Sequence, residues 1–260
     1  MENFDYIIVG AGSAGCVLAE RLTASGKARV LLLEAGGQGR SPWIALPLGY
    51  GKTYFDPAVN WKFQTVAEDS LAGRQGYWPR GKCIGGSGAI NAMVYARGLP
   101  NDFDDWQNAG AEGWGWQNVR AEYQRLETRV LPDGSTLGNG PLHIQDVSDQ
   151  VHKATRHFFA ANAELGLPQT DDLNGPTPEG AAIYQINTRN GWRNSSARAF
   201  LRPARRRGNL RIITGAHVQR IRFDGRRATG LTYMQGGQQH SVRVNREIIL
   251  SAGSVASPRL

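Results

Sequence analysis

The stretch DYIIVGAGSAGCVLAERLTASGKARVLLLEAGG, residues 5–37, decides the fold. The apolar run Tyr6-Ile7-Ile8-Val9 stops at Gly10, and Gly12 and Gly15 follow in G-x-G-x-x-G spacing. An amphipathic segment comes next, with Val17, Leu18 and Leu22 set against Glu20 and Arg21. A second apolar run, Val30-Leu31-Leu32-Leu33, ends in Glu34. Strand, tight turn, helix, strand and acid in this order predict a βαβ unit that binds a dinucleotide. Gly10 lets the chain turn sharply out of the strand, Gly12 lets backbone approach a pyrophosphate, and Gly15 lets the helix pack closely on the sheet. Free N–H groups and the dipole at the helix start favour the phosphate charge. Glu34, about 20 residues beyond the glycines, is placed to accept hydrogen bonds from ribose hydroxyls and disfavours a 2′-phosphate. A ligand-free glycine turn would not account for that acid.

The 260 residues, 40% hydrophobic, suffice for a sizeable core in one large domain or a domain and a half. No apolar run approaches the roughly 20 residues of a membrane helix. The opening carries Glu2 and Asp5 where a secretory signal would be basic, so a cytoplasmic location is expected. Cys16 and Cys83 lack metal-ligand spacing and read as small buried hydrophobes. His143, His152, His157, His217 and His240 are scattered and read as structural or surface residues, so no metal site is expected. The net charge of +8 is local: residues 193–227 hold eleven Arg and one acid, Asp224. No nucleic-acid motif accompanies the cluster, so nucleic acid is not an expected partner. Peripheral contact with an acidic membrane surface, or contact with a further part of the protein, fits the charge better.

Along the chain, residues 36–60 read as loop and 61–66 as a short strand. Residues 80–93 read as a second glycine-rich turn leading into a helix. Helices are expected over Trp116–Glu127 and Asp149–Leu165, the latter with an apolar stripe. Residues 132–140 and 171–180 read as loops, 182–188 as a strand, and 195–205 as a helix ended by Pro203. Strands follow at Leu210–Ile213, Ala216–Phe223, Ala228–Met234, Ser241–Val244 and Glu247–Ala252. Gly225 and Gly236-Gly237 mark hairpin turns.

Three further segments carry a family resemblance. RGKCIGGSGAINAMVYARG, residues 80–98, resembles the first signature of the glucose–methanol–choline (GMC) oxidoreductases, and GSVASPRL, 253–260, resembles the start of their second. RNSSARAFLRPA, 193–204, is similar to a stretch of the choline dehydrogenase and alcohol dehydrogenase branch. The resemblance implies an α/β fold: a Rossmann-like FAD-binding domain plus an incomplete α+β substrate domain. It implies FAD as cofactor, with residues 1–145 as the first part of the FAD-binding domain, 146–205 as a partial substrate domain, and 206–260 as a strand-rich return to the first. It implies that Gly10, Gly12, Ser13, Ala14 and Gly15 hold the pyrophosphate, and that Glu34 holds the adenosine ribose with Ala35 beside the adenine. It further implies that Trp61 covers the cofactor and that Arg80, Gly81, Gly85, Gly86, Ser87, Asn91, Ala92 and Val94 line the flavin side. On the same grounds Val218 presents backbone to the adenine edge, and Ala252 and Gly253 pass near the dinucleotide.

The reaction implied is oxidation of a small-molecule alcohol, choline or another primary alcohol, by hydride transfer to flavin, with the electron acceptor open. Some family members attach FAD to a histidine just before the signature asparagine. That position is Ile90 here, so FAD is expected to be non-covalent. The family's catalytic histidine lies beyond Leu260, so no catalytic residue is assigned and the 260 residues alone are expected to be inactive. A non-catalytic FAD-binding remnant is the main alternative. An NAD-dependent dehydrogenase is a weaker one, since Glu34 does not separate the two cofactors.

Overall fold

A computed structural model describes residues 2–131, 133–175 and 178–260. Pro132, Pro176 and Thr177, all expected in loops, lie outside the described residues. The chain divides into two compact units, Met1–Ala92 with Gly191–Leu260, and Met93–Asn190. These units are defined by packing, whereas the boundaries expected at 145 and 205 divide the chain by ligand.

The first unit is built on a six-stranded sheet. Its strands are β1 (Asn3–Val9), β2 (Val30–Glu34), β3 (Leu210–Thr214), β4 (His217–Asp224), β5 (Arg227–Gln235) and β6 (Gln238–Leu250), in the order β3-β2-β1-β6-β5-β4. β3, β2, β1 and the end of β6 run parallel, while β6, β5 and β4 form an antiparallel meander. Helix α1 (Ser13–Thr23) connects β1 to β2. Alternate residues point to opposite faces of a strand. Ile7, Val9, Leu31 and Leu33 therefore pack with Val218, Leu231 and Tyr233 on one face. Ile8, Val30 and Leu32 meet Cys16 and Ala19 of α1, with Leu201, on the other. Cover on both faces is why these strands are unbroken apolar runs rather than alternating ones. The mixed α/β architecture with a Rossmann-like parallel core is the one expected.

Several local expectations change. Ser241–Val244 and Glu247–Leu250 are not two strands but parts of β6, and Ser251 and Ala252 lie beyond its end. The polar residues 245–247 mark a bulge, since Phe4 pairs with Val244 and Tyr6 with Glu247. Two residues of β6 thus oppose Asp5, whose carboxylate accepts from the Arg29 N–H at 2.8 Å and from Asn245 at 3.3 Å. The second glycine segment does not lead into a helix: it makes one 3-10 turn, Gly86–Ala89. The chain then takes a left-handed φ of 63° at Met93 that no helix continues through. Pro203 does not end the helix after Ser195. A wide π turn, Ala197–Leu201, runs on into Arg202–Ala204, so the helix passes Pro203 by one residue before it ends. Of residues 61–66 only Phe63–Gln64 forms a ladder, against Tyr77–Trp78; Lys62 interrupts it at φ 54°, and single backbone bonds join Trp61 to Arg80 and Thr65 to Gly76.

The eleven arginines of 193–227 are largely tied into the fold. Arg207 donates to Glu20 at 2.8 Å, Arg205 to Gln38 at 2.7 Å, and Arg211 pairs with Glu2. No helix among the described residues is long and apolar enough to cross a membrane.

The second unit holds the helices Pro100–Asn108, Trp116–Leu126 and Thr155–Glu164. Its three-stranded sheet takes the order Thr136–Leu137, Glu127–Val130, Leu142–Gln145. The helix expected from Asp149 begins only at Thr155. Asp146 accepts from Ser148 N–H at 2.9 Å, His152 Nδ1 accepts from Ala154 N–H at 3.2 Å, and Val151 between them is extended. Such side-chain bonds to backbone compete with helix formation. Its apolar stripe is not buried, and Phe158 is 59% exposed. The strand expected over 182–188 reduces to bridges of Ile186 with Val94 and Gln145 and to Thr188, the first residue of a two-residue strand, Thr188–Arg189. Polar groups fill this unit's interior. Buried Arg129 donates to Gln185 at 3.0 Å and to Asp172 at 2.5 Å, and buried Glu127 accepts from Arg97 and Tyr95.

Both cysteines are fully buried in the first unit, as expected. Burial pushes each thiol up to about 12. The thiolate is the nucleophile, and at pH 8 almost none exists at either position. Neither is expected to react with a maleimide in the native chain, while both react in guanidinium. Rapid native labelling at either position would show that the packing around it is wrong.

Candidate dinucleotide site

The first glycine bend leaves β1 through Gly10, which holds φ at +101°. A Cβ there would stand 2.5 Å from the Ser251 carbonyl oxygen, so only glycine lets β1 and the end of β6 approach this closely. A Cβ on Gly15 would lie 1.9 Å from the Gly10 carbonyl oxygen, which brings α1 tight against the bend. The second glycine segment meets the first through backbone. Gly85 N–H donates to the Ala11 carbonyl at 2.8 Å. Gly86 holds φ at +54°, and a Cβ on it would stand 2.7 Å from the Gly12 Cα.

Glu34 closes β2 and is buried. Its Oε2 accepts from the Ala11 N–H and its Oε1 from the Gly36 N–H, each at 2.9 Å. Burial pushes the carboxyl up, and those two N–H groups together with nearby Lys82 pull the other way. The side chain therefore pins the first bend to the loop after β2. Each carboxylate oxygen keeps a second lone pair for a ligand hydroxyl.

These elements surround a cavity of about 740 Å³. Of the residues expected at the site, Gly10, Gly12, Ser13, Ala14, Glu34, Ala35, Trp61, Arg80, Gly81, Gly86, Ser87, Val218, Ala252 and Gly253 line it. Gly15, Gly85, Asn91, Ala92 and Val94 are not among the lining residues. Gly15 and Gly85 serve the backbone contacts just described. Asn91 accepts from Arg193 at 2.7 Å, Ala92 is exposed, and Val94 belongs to the second unit.

Sequence reasoning missed other lining residues. His217 sits with its ring 5.8 Å from that of Trp61, and Trp61 stacks on Phe63 at 5.7 Å with 6° between planes. Lys82 Nζ lies 4.6 Å from the Trp61 ring centre, a cation–π contact. Ser251, also lining the cavity, donates from Oγ to the Gly10 carbonyl at 2.9 Å. His217 could have been suspected from its place beside Val218, but nothing local marks Ser251.

Chemically the set fits a dinucleotide. No side-chain oxygen caps the start of α1, and Ser13 and Ala14, which carry two of its first N–H groups, line the cavity. That end favours a diphosphate, the Glu34 end favours hydroxyls, and Trp61 offers a flat apolar wall. Among the described residues no cluster of His, Cys, Asp or Glu could hold a metal ion.

Comparison with known proteins agrees. The chain is 43% identical over 261 residues to the alcohol dehydrogenase [acceptor] of Pseudomonas putida, covering 99% of this chain and 47% of that protein. It is 41% identical to the oxygen-dependent choline dehydrogenase of Vibrio vulnificus, covering 100% and 47%. The solved structure of an FAD-dependent oxidoreductase from Chaetomium thermophilum superposes with a TM-score of 0.90 at 27% identity, covering 99% of this chain and 47% of that one. The chain thus spans about half the length of the relatives it matches. The family model described as GMC oxidoreductase matches residues 4–260, and with both glycine bends in place across that span the chain belongs to the GMC oxidoreductase family.

Proposed function

We propose that this chain is the cofactor-holding part of an FAD-dependent oxidoreductase acting on the CH–OH group of a small alcohol, choline or another primary alcohol. One observation carries the proposal: two glycine bends far apart in sequence touch through backbone at the wall of one cavity that also holds Glu34. The similarity to an alcohol dehydrogenase, a choline dehydrogenase and an FAD-dependent oxidoreductase supports the cofactor and the substrate class.

In this reading Gly10, Gly12, Ser13 and Ala14 take the diphosphate at the start of α1, where backbone N–H groups favour its charge. Glu34 accepts from the adenosine ribose, Ala35 and Val218 border the adenine, and Ala252 and Gly253 pass near the dinucleotide. Trp61 shields the cofactor, and Arg80, Gly81, Gly86 and Ser87 present backbone and donors to the flavin half. Bound FAD supplies a hydride acceptor for the alcohol carbon. The cofactor is held without a covalent bond, because Ile90 is a buried hydrocarbon packed with Ile44, Val59, Cys83 and Ala89. Residues 1–145 and 206–260 serve the cofactor; of the expected substrate part, 146–205, the stretch from Gly191 packs with the cofactor-holding unit and backs its wall. Substrate choice and the electron acceptor belong to the whole protein.

Equilibrium dialysis of the 260-residue chain against FAD and, separately, NAD tests the proposal. Retained FAD with a flavin spectrum, released intact by acid, is expected. Retention of NAD with none of FAD overturns the cofactor assignment. The FAD-loaded full gene product is expected to reduce a dye with an alcohol as donor. No turnover across a broad alcohol panel leaves only a non-catalytic FAD-binding protein.

A further inference from the structure

Arg193 lies outside the cavity wall yet is 2% exposed. Its Nε donates to the Ile44 carbonyl at 2.8 Å, and its Nη1 donates to the Gly88 carbonyl at 3.3 Å and to Asn91 Oδ1 at 2.7 Å. Among the described residues its Nη2 is buried without a hydrogen-bond partner, and no carboxylate pairs with the guanidinium. Burial without a counter-charge brings its pKa down to about 10. A buried cation lacking a carboxylate, with the two N–H bonds of Nη2 unsatisfied, is unfavourable for stability. A packed hydrocarbon would fill the space at lower cost, so its presence calls for another reason.

The residues that follow back the same bend. Asn194 and Ser195 are buried. A Cβ on Gly85 would meet Ala197 Cβ at 3.3 Å and Ser195 Oγ at 3.7 Å. Gly88, whose carbonyl Arg193 holds, faces Ser13 so closely that a Cβ on it would stand 2.8 Å from the Ser13 Oγ. Ser13, Gly86 and Ser87 all line the cavity. The guanidinium fork thus fixes three separate acceptors behind the wall where both glycine bends meet. A planar fork sets three directions at once, which a lysine ammonium on a flexible stem does not.

We propose that Arg193 is a positioning residue for the cofactor: its guanidinium holds Gly88 and Asn91 in the arrangement that receives FAD. The assignment rests on the FAD reading above. Arg193 touches no cofactor itself; it acts through the glycine segment and Asn91.

The test compares wild type with Arg193→Lys, Asn91→Ala and the double variant. It reads the affinity for FAD, the bound flavin's absorption bands and the melting of the cofactor-free chain. Each single variant is expected to bind FAD at least about tenfold more weakly and to shift the flavin bands. The double variant is expected to be little worse than the stronger single, because both cut the same link. A folded Arg193→Lys chain with wild-type affinity and unshifted bands overturns the assignment, as does full additivity in the double variant. If Arg193→Lys does not fold, Asn91→Ala decides: it removes an exposed side chain, and unchanged affinity and bands overturn the assignment. Wild-type chain that retains no FAD brings down the FAD reading and this assignment together. Wild-type retention beside an unaffected Arg193→Lys removes the assignment alone.

Discussion

A Gly12→Ala chain is expected to fold almost as well as the wild type and to lose roughly a hundredfold in FAD affinity, about 2.7 kcal/mol. Gly12 is the N-cap of α1, with an ordinary φ of −73°. A Cβ on it meets nothing closer than 3.9 Å, from Gly86 Cα and the Ser251 carbonyl oxygen. Replacing an N-cap glycine by alanine costs less than about 1 kcal/mol of stability. The added methyl nevertheless stands at a cavity-lining position, where only bare backbone lets a pyrophosphate approach the start of α1. Thermal melting of the cofactor-free chain and a flavin titration, run side by side, separate the two effects. Undiminished FAD affinity would place the diphosphate elsewhere, and the dinucleotide geometry of the site would fall with it.

Gly10→Ala is expected to do the opposite first: it damages the fold, and cofactor binding fails as a consequence. At φ +101° an L side chain is strained by about 1–3 kcal/mol. The Cβ would also stand 2.5 Å from the Ser251 carbonyl oxygen and 2.8 Å from the Ala252 Cα, both backbone atoms that cannot rotate aside. Overpacking of this kind adds about 1–3 kcal/mol more. A loss of about 3 kcal/mol or more in guanidinium unfolding is the expected result, with the β1–β6 pairing the first contact weakened. A midpoint equal to the wild type would mean that β1 and β6 do not approach each other here.

The two variants lie two residues apart in one motif and separate what is local from what is not. The order β1, α1, β2 was legible because each part announces itself within a few residues: an apolar run, a glycine, a 3.6-residue period, a second run. Glu34 was legible for the same reason, as an acid at a set distance from the glycines. Its pinning of Ala11 and Gly36 was not legible, because backbone N–H groups leave no mark on a sequence. The 80–93 segment shows where local pattern misleads. Glycine followed by small apolar residues suits a helix start, but contact with the first bend spends Gly85 and Gly86 on positive φ, and only one turn forms. Residues 149–154 fail as helix because Asp146 and His152 offer the backbone nearer partners.

By itself the sequence determined the βαβ core with its helix α1, and the family, since these rest on periodicity, turn residues and ordered motifs carried in the chain. Only the tertiary structure decided that Gly12 and Gly86 meet, that Ser251 and His217 join the cavity wall, that β6 is one bulged strand, and that Arg193 stands behind the glycine segment. Each of those facts depends on residues brought together from distant parts of the chain. Their contacts follow from the sum of core packing and backbone pairing, which no short window of residues contains.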